Sequence, residues 1–227
     1  MAHALIARPL YRTTVLLKVT MATTGVVLFG FLLGHMLGNL QAFMSPQKIN
    51  DYAKFLHETP SLLWGTRLVL LASIALHIAS AIALTRLNQA ARPTAYAAPR
   101  RWRTATYASR TMMLSGPIIA AYLIYHLLHF TVGSLHPNFN AADPYNNLVY
   151  GFQQPVVVVA YLVAMGLLAL HLHHGVWSFF QSLGISHPRW DAARRTFATA
   201  FTVVVILGFT AVPLAVLLGV LKPFTAG

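Results

Sequence analysis

A chain of 227 residues that is 57% hydrophobic and only 9% charged, with a mean hydropathy of +0.62, is not a water-soluble domain. It has no cysteine, which excludes disulfides, iron–sulfur ligation and thioether-linked haem by this chain itself. A net charge of +12 would suggest nucleic acid only if the basic residues shared one soluble face. They lie between apolar runs, where they indicate membrane orientation and no nucleic-acid partner.

The segment up to Lys18 carries Arg8 and Arg12 and resembles the n-region of a signal peptide. No small-x-small cleavage site follows an apolar stretch of the right length, so a retained first transmembrane helix is expected over residues 16–40, with His35 in it. Gln41 to Ser61 reads as a polar connector in which His57 and Glu58 are surface residues. A second helix is expected over 62–86, with Arg67 near its start and His77 in its middle. Arg86 to Arg110 is the most basic connector, holding Arg92, Arg100, Arg101 and Arg103, and Pro93 and Pro99 break any helix there. The third helix, 111–135, contains a Gly116-Pro117 kink signal followed by His126 and His129. His136 to Gln154 is a loop without Lys or Arg.

The fourth helix, 155–184, lies in a run from Pro155 to Ser186 that has no Lys, Arg, Asp or Glu but includes Leu170-His171-Leu172-His173-His174-Gly175. A fifth, 196–221, is uncharged and has no histidine. The fold class is therefore an all-α integral membrane protein of five transmembrane helices in a single domain over 1–227. Twelve of the sixteen Lys and Arg fall in the amino terminus and in the connectors after the second and fourth helices; Lys48, Lys54, Arg67 and Lys222 fall toward the opposite side. The positive-inside rule then puts the amino terminus in the cytoplasm.

Histidines inside a membrane are costly and mark functional sites, and a neutral imidazole can give its lone pair to a metal. Counting from the inner-side basic residues at about 1.5 Å per residue, His35 and His126 lie roughly 25 Å in, toward the outer face. His77 lies only about 14 Å from Arg86, and the His171–His174 cluster about 15–20 Å from Gly184, toward the inner face. Two ligands at each of two depths, on four helices, suit two bis-histidine haems b in a four-helix bundle, with the fifth helix peripheral. Zinc would want its ligands around one point. Within the fourth helix, His171 and His174 share a face while His173 points elsewhere, and depth alone favours His174. Small residues beside the histidines (Ser73, Ser80 and Ala81 near His77; Gly34, Gly38 and Asn39 near His35) would let a porphyrin lie against a helix.

Four segments occur in a recognisable order. They are Gly34-His35-Met36-Leu37-Gly38-Asn39; Tyr52-Ala53-Lys54-Phe55-Leu56-His57 continuing through Leu63-Trp64 and Arg67 to His77; Ser115-Gly116 followed by His126-Leu127-Leu128-His129-Phe130; and His171-Leu172-His173-His174-Gly175-Val176-Trp177-Ser178. Together they resemble the five-helix, two-haem membrane cytochrome b subunit of succinate dehydrogenase and fumarate reductase, the succinate:quinone oxidoreductases. The resemblance implies an inner haem held by His77 and His171 and an outer haem held by His35 and His126, with His174 and His129 as the neighbouring alternatives. It also implies a bacterial cytoplasmic membrane and, as partners, membrane lipid, a flavoprotein and an iron–sulfur subunit. Substrate chemistry would belong to those subunits, while this chain passes electrons to or from a membrane quinone, menaquinone favoured over ubiquinone. Arg67 is a candidate for a haem propionate or a quinone carbonyl, with a lipid-phosphate anchor as the plainer role. The alternatives are a two-haem quinone cytochrome of the nitrate reductase or hydrogenase type, a haem-free transporter with a histidine relay, and a bare structural anchor.

Overall fold

The computed structural model describes residues 13–91 and 106–225. Arg8, Arg12, Pro93, Pro99, Arg92, Arg100, Arg101 and Arg103 lie outside them. Among the described residues the chain is all helical, and five helices are long and apolar enough to cross a membrane. The spanning elements are α1 (Thr14–Leu40), α3 (Pro60–Ala90), α4 (Tyr107–Leu127), α6 (Pro155–Ser182) and α7 (Asp191–Leu217). Two short helices, α2 (Pro46–Glu58) and α5 (Pro144–Phe152), fill the connectors after α1 and α4.

The second was expected to be a loop and the first only a polar connector, and the reason both are helical is local. Ser45 accepts a hydrogen bond from Lys48 N–H, Asp143 accepts one from Asn146 N–H, and each cap is followed by a proline at the first helical position. Proline costs nothing there because that N–H has no helical partner. The Ser-Pro and Asp-Pro pairs were therefore the readable signal.

Three of the spans depart by four or more residues from the boundaries expected. α3 continues past Arg86 to Ala90, and α4 begins at Tyr107 so that Arg110 lies inside it. α7 begins at Asp191 after a 3-10 turn over Pro188–Trp190, because Arg194 and Arg195 are helical residues stacked on Trp177 of α6, each 4.7 Å from its ring. Arg194 also bonds Asp191 and the carbonyl of Ile185. Charged side chains with long stems can cover apolar surface at a helix end, so charge alone is a poor marker of where a helix stops.

Packing divides the spans. α1 packs on α3, α4 packs on α6, and α6 with α1 carries α7. The fit of α7 is close: a Cβ on Gly208 would meet the Met36 side chain of α1. α4 runs unbroken through Gly116-Pro117 and then widens into a single π turn, Leu128–Val132. It ends at Gly133, whose φ of +81° and whose contact with the Phe139 ring admit no side chain.

At the expected outer end α2, α5 and the carboxy-terminal tail are tied together. Asn50 Nδ2 donates to Asp143 Oδ1, and the N–H of Tyr145 donates to Asn50 Oδ1. Tyr145 Oη donates to the carbonyl of Lys222, and Asn146 Nδ2 to that of Phe224.

Candidate haem-ligand site

The histidines of four helices meet as two facing pairs. His77 of α3 faces His171 of α6 with ring centroids 6.3 Å apart, and His35 of α1 faces His126 of α4 at 5.8 Å. In each case the two helices are not a packed pair, so the imidazoles reach across the space between packed pairs. Two imidazoles on opposite sides of one metal, at bonds of about 2.0 Å, would have ring centroids about 6 Å apart. Both separations are compatible with that spacing.

Nitrogen bookkeeping points the same way. A ligating imidazole needs its other nitrogen protonated and held, which fixes tautomer and ring direction. Thr24 Oγ1 of α1 lies 3.1 Å from His77 Nδ1, and Ser115 Oγ of α4 lies 3.4 Å from His171 Nδ1. Thr24 donates its own proton to the carbonyl of Thr20, and Ser115 donates to that of Met112. Each hydroxyl is thus free to accept from Nδ1–H, leaving Nε2 with its lone pair. Tyr161 Oη of α6 lies 3.3 Å from His126 Nδ1. His35 is held by rings instead: it stacks on Phe31 at 5.4 Å and meets Phe209 of α7 at 5.9 Å.

The glycines near the histidines differ in their surroundings. A Cβ on Gly34, beside His35, or on Gly175, one turn after His171, would have nothing within 4 Å. Gly25 and Gly116 admit the imidazoles themselves, with Cβ positions 3.7 Å from His77 Cε1 and 3.9 Å from His171 Cε1. Other small residues serve helix packing rather than open space. Ser73 and Ser80 are buried, and a Cβ on Gly38 would sit 2.9 Å from Tyr52 of α2. Among the described residues no group of three or more His, Asp or Glu that could hold a metal ion is present, and the two facing pairs offer two imidazoles each. The residues present fit haem b.

The neighbouring histidines go elsewhere. His173 turns to α7, its Nε2 3.3 Å from Thr199 Oγ1, and His174 has no hydrogen-bond or ring partner among the described residues. His129 is 1% exposed and sits in an aromatic cluster with Phe130, His136, Tyr125 and Tyr161. Arg67 is exposed, with its guanidinium 5.0 Å over the ring of Trp64 one turn away. It touches neither histidine pair. His57 is exposed and bonds the carbonyl of Ala53, while Glu58 pairs with Lys54 at 3.8 Å.

Sequence reasoning missed Thr24, Ser115, Tyr161 and Phe209 as neighbours of the histidines. A phenol in the second turn of an apolar helix was a readable signal, since a buried Tyr hydroxyl seeks a partner. No family model, no curated protein and no solved structure matches the chain.

Proposed function

We propose that this chain is the membrane cytochrome b subunit of a succinate:quinone oxidoreductase, with two haems b in a bundle of α1, α3, α4 and α6. His77 and His171 hold the inner haem, and His35 and His126 the outer one. The observation that carries the reading is the pair of imidazole–imidazole separations, 6.3 and 5.8 Å, each linking helices that are not packed together. When bound, the haems supply one-electron transfer across the membrane between an iron–sulfur partner and a quinone. The protein's part would be to offer two imidazoles to each iron, with Thr24, Ser115 and Tyr161 fixing the tautomers of His77, His171 and His126. The basic residues Lys18, Arg86, Arg110, Arg189, Arg194 and Arg195 support a cytoplasmic amino terminus and an inner face that docks the soluble subunits.

The test is a pyridine haemochrome assay and a reduced-minus-oxidised spectrum of the purified chain. Two haems b per chain with low-spin α-bands are expected, and one haem or none would overturn the reading. A nitrate reductase or hydrogenase cytochrome shares this geometry. Succinate-dependent haem reduction in the assembled complex separates the two, because only the proposed assembly delivers electrons from succinate.

A further inference from the structure

We infer that Tyr161 is a positioning residue for the outer haem, its hydroxyl holding His126 and transmitting to it the hydrogen-bonding pull of His129. The inference rests on the two-haem reading above. Tyr161 Oη lies 3.3 Å from His126 Nδ1 and 3.0 Å from His129 Nδ1. A phenol owns one proton and donates it once. With His126 ligating through Nε2, its Nδ1 carries hydrogen and must donate, so Tyr161 Oη accepts from His126. The phenol proton then goes to His129 Nδ1, the nearer contact. The chain has one direction, from His126 through Tyr161 to His129.

Hydrogen bonds in such a chain polarise one another. Donation to His129 makes the phenol oxygen the better acceptor, and His126 becomes the more electron-rich ligand, which favours ferric over ferrous iron. The surroundings hold the chain in place. His129 is wedged against Phe130 at 4.1 Å and stacked on Tyr125 at 5.4 Å. Tyr161 packs edge-on against Phe152 at 4.9 Å and Tyr122 at 5.1 Å. The hydrogen bonds do not continue through His136, although its ring is 5.1 Å from that of His129. Both its nitrogens are engaged, Nε2 with the carbonyl of Asn147 and Nδ1 with the N–H of Asn138. The inner pair has nothing equivalent, because Thr24 and Ser115 spend their protons on backbone carbonyls.

Tyr161→Phe deletes the hydroxyl and keeps the ring packing. The measurement is a redox titration of both haems in the purified full chain at one fixed pH, with His35→Ala identifying the outer haem. The variant should retain two low-spin haems, with the inner potential unmoved. The outer potential should rise by about a tenfold change in its one-electron equilibrium constant, ~59 mV. His129→Phe should move the outer potential in the same direction by less, since Tyr161 still accepts from His126. Two haems with an unmoved outer potential in Tyr161→Phe, or equal shifts at both haems, would overturn the inference alone. A wild-type chain without haem would overturn it together with the reading it rests on.

Discussion

The two histidine pairs agree in spacing and differ in fastening. His77 and His171 are each held by an aliphatic hydroxyl from the helix packed beside them, Thr24 from α1 and Ser115 from α4. At the other pair only His126 has a hydroxyl, a phenol shared with a second histidine, and His35 is held by Phe31 and Phe209. A serine or threonine that already bonds its own helix backbone is a passive acceptor. A phenol with a second partner makes its acceptor strength depend on that partner. Similar imidazole spacing can thus go with different hydrogen bonding, and α7, expected to be peripheral, supplies a ring to one of the two pairs.

The sharpest way to break this comparison is to remove one ligand at a time. His77→Ala should abolish the inner haem and leave the outer, and His35→Ala the reverse, so that the haemochrome value falls from two to one in each. If either substitution costs both haems, the sites are not independent. A smaller effect separates the fastenings: Thr24→Val keeps the side chain's shape but removes the acceptor from His77 Nδ1. It should weaken haem retention at the inner site by about 10–100-fold and spare the outer site. Competition with a haem-scavenging apoprotein reads this directly.

Smaller again is the effect of the outer cap. Asp143→Ala removes the N-cap of α5 and its tie to Asn50, at a cost of about 1 kcal/mol. The outer haem should then be released at a lower temperature than in the wild type, as followed at the Soret band, with the inner haem unchanged. Least of all is expected from His173→Ala and His174→Ala, which should retain two low-spin haems with unshifted spectra. Loss of the inner haem in His174→Ala, with retention in His171→Ala, would move the ligand by one turn.

The five spans were legible because a run such as Pro155 to Ser186 without a charged residue has few other uses. The meeting of histidines by depth was legible too, since rise per residue converts position into height. Rotation was not. Depth favoured His174 over His171, and only the angular setting of α6, fixed by its packing on α4 and α7, turns His171 toward His77 and His173 toward Thr199. The same ignorance of rotation hid Thr24, one of two adjacent threonines on α1. Helix ends were misjudged for a different reason: Arg110, Arg194 and Asp191 are charged yet helical.

The order in which the helices pair has a consequence for how the protein can be divided. Before the connector that follows α3 the chain holds His35 and His77, with Thr24 fastening the latter; after it come His126 and His171, fastened by Tyr161 and Ser115. Each half thus brings one imidazole to each facing pair, and neither half contains a complete one. Cut there and synthesised as two polypeptides, each half would carry its own hydroxyl fasteners but could grip an iron from one side only. Haem would act as the cross-link between the fragments, and their reassociation in a membrane would be reported by colour.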